Sequence, residues 1–184
     1  RVNKKKLLFI VNVDWFFMSH RLPIALEAIK HGYEVHIATT ITDKLELLES
    51  NGLITHDLHL HRSRSNVGAI FSEFSEIYSI IRAVSPDILH LVTIKPVLMG
   101  GIAARLAGTP AVVSAVSGLG FIFVNRRVVT LLRRKAVSLL YRLALGHSNQ
   151  RVIFQNADDR AQLSRLARLS SEQSILIPGS WVDL

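Results

Sequence analysis

Short, wholly apolar runs alternate with stretches of helical periodicity along most of this chain. Residues 7–13, 35–39, 87–93, 111–116, 152–155 and 174–178 read as strands. The opening run, Leu7-Leu8-Phe9-Ile10-Val11, has no polar alternation, as expected of a strand buried on both faces of a parallel sheet. Helical spacing fills the intervals. Residues 19–31 place Leu22, Leu26 and Ile29 on one face, with Gly32 closing the helix. A short helix over 43–50 stops at Asn51-Gly52, and a long one over 67–84 runs through Ile70, Phe74, Ile77 and Ile81. Further helices are predicted over 96–106, opening on Pro96, over 126–145 and over 157–168. Residues 55–61 alternate, with Leu58 and Leu60 on one face and His59 and His61 on the other. The whole pattern predicts an α/β, Rossmann-like, doubly wound and mainly parallel sheet of about seven strands, with helices on both faces.

Such sheets bind ligands at the carboxyl ends of their strands, where the chain order reverses. The ends of the first, fourth and fifth predicted strands therefore form the candidate cleft. They offer Asp14, Trp15, Phe16, Ser19, His20 and Arg21, then Thr93 and Lys95, then Ser117, Gly118 and Gly120. Residues 14–18 read as a loop, which puts His20 and Arg21 in the first turn of the next helix. Cations are disfavoured there, and an anion such as phosphate would explain them; simple solvation is the other reading. Lys95 is the only Lys, Arg, Asp or Glu between Asp87 and Arg105, and it too fits an anionic ligand or a solvated loop. Gly118 and Gly120 permit either a close approach of ligand to backbone or a tight turn.

Charge adds a second candidate surface. The 184 residues carry a formal net charge of +8, and residues 126–184 contribute 10 basic against 4 acidic side chains. On a wheel for residues 126–145, Arg126, Arg127, Arg133, Arg134, Lys135 and Arg142 cover one half. Val128, Val129, Leu132, Ala136, Leu139, Leu140 and Leu143 fill the other, the half expected to dock on the sheet. A basic face without acids suits anionic lipid headgroups; nucleic acid fits less well, since Tyr141 is the one aromatic residue for base stacking.

Several chemistries are excluded or disfavoured. The chain has no cysteine, hence no disulfide and no thiolate metal site. Mean hydropathy is +0.30, but no apolar run reaches membrane-spanning length. Lys4-Lys5-Lys6 before an apolar run mimics a signal peptide, but no cleavage site follows. No glycine stands between residues 1 and 31, which argues against a nicotinamide-binding oxidoreductase, and a phosphate loop of the Gly-Lys-Ser/Thr type is absent. His56, His59 and His61 have no accompanying carboxylate cluster and read as a sheet edge rather than a metal site.

The string Val11-Asn12-Val13-Asp14-Trp15-Phe16-Phe17-Met18-Ser19-His20-Arg21-Leu22-Pro23 resembles the amino-terminal start of bacterial family 4 glycosyltransferases of the capsule and O-antigen type. So do Asp87-Ile88-Leu89-His90-Leu91, Lys95-Pro96, Ala103-Ala104-Arg105-Leu106-Ala107-Gly108, Ser117-Gly118-Leu119-Gly120 and Ile177-Pro178-Gly179-Ser180-Trp181-Val182-Asp183. The resemblance implies one half of a GT-B enzyme: an acceptor-side domain over 1–176, then 177–184 leading to a carboxy-terminal donor domain. It implies transfer of a sugar from a nucleotide-sugar to a lipid-linked glycan acceptor at the inner membrane face, with retention and no metal. The chain alone is then expected to be inactive. Two departures stand out: Asp14-Trp15-Phe16 replaces the glycine-rich first loop common among relatives, and Ser117 stands where many carry a histidine.

Overall fold

The apolar opening run forms the centre of a parallel sheet in the computed structural model, which describes residues 4–60, 67–116 and 131–178, with the backbone alone for 131–134. Strand β1 (Lys6–Val13) pairs with β2 (Glu34–Thr40) on one side and β4 (Ile88–Val92) on the other. Beyond them lie β3 (Ile54–Asp57), β5 (Ala111–Val116), β6 (Gln150–Phe154) and β7 (Ser174–Leu176), in the order β3-β2-β1-β4-β5-β6-β7. Every pairing is parallel, so the fold is the Rossmann-like α/β architecture that the alternation predicts. The order reverses between β1 and β4.

Among the described residues seven helices join the strands: α1 (Asp14–His20), α2 (Leu22–Lys30), α3 (Leu45–Ser50), α4 (Val67–Val84), α5 (Ile94–Ala107), α6 (Leu131–Leu145) and α7 (Ala157–Ala167). Two cores result. Phe9, Val11, Val35, Ile37 and Val92 pack with Phe17 of α1, Ala25 of α2 and Leu48 of α3. Leu8, Ile10, Leu89, Leu91, Val112, Val152 and Phe154 pack on the opposite face with α4 through α7. One consequence of always crossing on the same side after β3 is that, among the described residues, the α1–α3 face of the later strands is thinly covered. Ile175 and the following Ile177 are exposed there, while Val152 and Phe154 on the other face are fully buried.

The segment after β1 departs from expectation. Residues 14–18 are not a loop: α1 starts at Asp14, directly at the strand's end, and the predicted helix over 19–31 is divided at Arg21. Pro23 supplies the reason, because it has no N–H to continue the ladder of α1 and is tolerated only in the first turn of a new helix. The predicted strand over 55–61 shortens to β3, although Leu58 and Leu60 remain buried against α4 and its neighbours; His61 lies outside the described residues. The predicted helix over 126–145 is described from Leu131 onward.

Candidate functional site

Asp14 opens α1 directly after β1 and is fully buried. Its carboxylate accepts hydrogen bonds from the Thr42 backbone N–H and hydroxyl, both at 2.7 Å, from the Lys44 N–H at 3.2 Å and from the Trp15 N–H at 2.7 Å. Burial pushes its pKa up, but these donors outweigh it and hold the group below the usual carboxylate value. The side chain thus ties the end of β1 to the turn after β2. It is spent on structure.

The residues that follow Asp14 come from α1. Trp15 is exposed, Phe16 stacks on His20 with ring centroids 4.3 Å apart, and the Ser19 hydroxyl lies 2.6 Å from His20 Nδ1. His20 falls in the last turn of α1, where a cation suits the macrodipole, so the first-turn argument for an anion does not apply to it. Arg21 occupies the joint: its N–H donates to the Phe17 carbonyl and its own carbonyl accepts from the Ala25 N–H. The guanidinium is half-buried and gives one hydrogen bond, Nη1 to the His20 carbonyl at 3.1 Å. Arg21 Nε is buried and has no partner among the described residues.

From β4 the chain delivers His90, Thr93 and Lys95. Thr93 has φ 74° and ψ 163°, a region that β-branched residues avoid at a cost of about 1–3 kcal/mol. Its N–H reaches the Ala115 carbonyl at 3.2 Å and its carbonyl accepts from Val97 at 3.0 Å, so both neighbours fix the strained corner. Lys95, expected to meet a ligand anion or solvent, faces Glu73 of α4 at 2.6 and 2.8 Å. Glu73 is buried and balances the ammonium charge within the chain. Ser117, Gly118 and Gly120 lie outside the described residues.

Sequence reasoning passed over Glu73, His90 and Asn12. Glu73 shares the helical face of Ile70 and Ile77, and His90 interrupts a five-residue strand otherwise made of Ile, Leu and Val. A lone polar side chain on a buried face was the available signal for both. Burial and the nearby Arg21 charge lower the His90 pKa to about 3, so the ring is neutral. Among the described residues, Asn12 Oδ1, His90 Nε2 and Thr93 Oγ1 are buried without partners, as is Arg21 Nε. These groups stand on or beside β1 and β4, the pair at which the order reverses.

The histidines at the sheet edge pair otherwise than their spacing implied. His56 Nε2 lies 2.9 Å from Nδ1 of His36, whose Nε2 lies 3.0 Å from Glu34. His59 is exposed beside Glu76 and Asp57. No cluster of three or more potential metal ligands occurs among the described residues.

Helix α6 is turned relative to expectation. Tyr141, Ala144 and Leu145 are buried, whereas Ala136, Leu139, Leu140 and Leu143 of the predicted docking half are exposed. The cause is close contact with α5: a Cβ on Gly101 would come 2.1 Å from the Ala144 carbonyl oxygen, so only small residues fit this seam. Lys135 is exposed, but Arg142 is half-buried and gives its Nε–H to the Leu166 carbonyl at 3.3 Å. Arg126 and Arg127, and the side chains of Arg133 and Arg134, lie outside the described residues. No described helix is long and apolar enough to cross a membrane.

Comparison with known proteins adds the family. Residues 6–156 match the family described as glycosyl transferase 4-like. No curated protein matches the chain. Among solved structures, a glycosyltransferase from Rickettsia africae ESF-5 superposes with TM-score 0.66 at 16% identity, over 96% of this chain and 43% of that one. MurG of Acinetobacter baumannii gives 0.59 at 13% identity, over 97% and 46%. A UDP-GlcNAc 2-epimerase from Neisseria meningitidis, bound to UDP-GlcNAc, gives 0.62 at 16% identity, over 93% and 45%. The chain therefore spans less than half the length of the solved proteins it resembles, and at these identities the likeness is one of fold.

Proposed function

Because this chain belongs to the glycosyl transferase 4-like family, we propose that it is the acceptor-side half of an enzyme that moves a sugar from a nucleotide-sugar to a lipid-linked glycan in surface polysaccharide synthesis. The observation that carries this reading is the family match over residues 6–156, which spans the β1–β4 reversal and every described candidate of the cleft. The matching region is also less than half of each solved relative, as expected if donor binding belongs to a second domain. In this reading Trp15, Phe16, Ser19, His20, Arg21 and Thr93 line the acceptor side, with Lys95 held in place by Glu73. Transfer proceeds with retention and without a metal, and the half-enzyme alone is inactive. The enzyme works at the inner face of the cytoplasmic membrane, where α6 offers exposed leucines beside Lys135. No nucleic acid takes part.

The test is transfer of radiolabel from a panel of nucleotide-sugars to lipid-extractable product, by the longest natural polypeptide that contains this chain and by the 184-residue chain alone. Transfer by the long form only is expected. Transfer by the short chain would refute the half-enzyme assignment. Epimerised nucleotide-sugar in place of glycolipid would refute the transferase reading, a pertinent outcome given the epimerase with the same fold.

A further inference from the structure

We propose that Arg21 binds a phosphoryl group of a substrate at the corner between α1 and α2. The Arg21 guanidinium is half-buried, and among the described residues no carboxylate pairs with it. Burial pushes its pKa down, and no acid among the described residues opposes this. A guanidinium keeps its proton at neutral pH all the same, so the chain holds a partly desolvated cation whose cost is offset only when an anion arrives.

The surroundings favour that arrival. His90 is only 7% exposed and lies against Phe9 with ring centroids 5.0 Å apart. Its Nε2 is buried and, like Arg21 Nε, has no partner among the described residues. Burial and the Arg21 charge keep this ring neutral, so it supplies no compensating charge. The His20 carbonyl takes one Nη1 hydrogen, which anchors the guanidinium by one corner and leaves donors for a ligand. The planar fork matches two oxygens of a phosphoryl group, whereas a lysine offers only a point charge. Location agrees as well, because one short helix, α1, separates the corner from the end of β1, which pairs with β4 where open α/β sheets take ligands. The choice of phosphoryl over carboxylate rests on the proposed transferase function, whose two substrates both carry phosphate.

The experiment follows the side-chain Nε–H resonances of the arginines in the 184-residue chain during titration with inorganic pyrophosphate, with acetate as control. A shift of the Arg21 resonance is expected. R21Q should weaken pyrophosphate binding about tenfold to hundredfold, and R21K should keep part of it. Matching far-ultraviolet spectra and melting temperatures for the variants show that they fold. Two further arms separate the sources: a nucleoside diphosphate stands for the donor and a short isoprenyl diphosphate for the lipid-linked acceptor, and the tighter ligand through Arg21 identifies the substrate. No Arg21 shift up to about 10 mM pyrophosphate, equal binding by R21Q, or equal binding of acetate would each overturn the proposal. Binding at Arg21 without sugar transfer by the longer polypeptide would sink the transferase reading and leave the site standing. Transfer that survives R21Q unchanged would do the reverse.

Discussion

Asp14 shows how a residue can be placed correctly and assigned the wrong task. Its position at the end of β1 follows from the apolar run before it, but its four donors come largely from Thr42 and Lys44, 28 and 30 residues away in sequence. No spacing rule reports a partner at that range. D14N should lower stability by about 2–3 kcal/mol at neutral pH, read from urea unfolding, since the amide puts N–H groups against N–H groups. The folded-state pKa of Asp14 lies below the ordinary 3.8, so its contribution is complete above that value and is lost as pH falls through the depressed one. The gap between wild type and D14N should accordingly narrow below about pH 4. His90 has a parallel effect in a different window. With a folded-state pKa near 3 against 6.5 in the unfolded chain, the unfolded state takes up a proton first as pH drops below 6.5. Stability should therefore decline by up to about 1.4 kcal/mol per pH unit on this account, and H90Q should remove that part of the slope. A slope unchanged in H90Q would mean that the ring is not held neutral.

At the scale of elements, alternation and apolar runs sufficed to read the seven strands, their parallel pairing and helix α4 with its ends. They failed where one element is shaped by another. Residues 14–18 look like a loop because polar and aromatic residues follow the apolar run, yet α1 forms since Phe17 buries against Phe9 with ring centroids 5.4 Å apart. In α6 the leucines were expected inward because burial favours large apolar groups. The α5–α6 seam decides otherwise, since Gly101 lies against the backbone of Ala144 and leaves no room for a leucine at the line of contact. Arg105 reinforces the seam by donating to the Leu143 carbonyl at 3.0 Å. G101A should cost about 1–3 kcal/mol, because the obstructing atom belongs to backbone and moves only if the helices separate. An alanine tolerated there within about 0.5 kcal/mol would show that the seam is looser than described.

Over the whole molecule, charge and exposed apolar surface coincide in the later part of the chain. Residues 126–184 carry the excess of basic side chains, and α6 in that region exposes Leu139, Leu140 and Leu143. Leu139 is 57% exposed, which a docked helix face would not allow. A purely basic surface would leave an anionic membrane as salt rises, because screening removes its attraction. Leucines that enter the headgroup region add a contribution that salt does not weaken. The 184-residue chain should therefore sediment with vesicles containing anionic lipid more than with zwitterionic ones, and part of that binding should survive high salt. L139S combined with L143S should reduce affinity about tenfold to hundredfold while changing stability by less than about 1 kcal/mol, since neither side chain supports the core. K135Q should weaken binding severalfold at low salt, in line with about 1 kcal/mol per basic residue near the surface, and have little effect at high salt. Equal sedimentation of wild type and the double variant would remove α6 from the membrane. A large loss of stability in that variant would instead return the leucines to a packed interface.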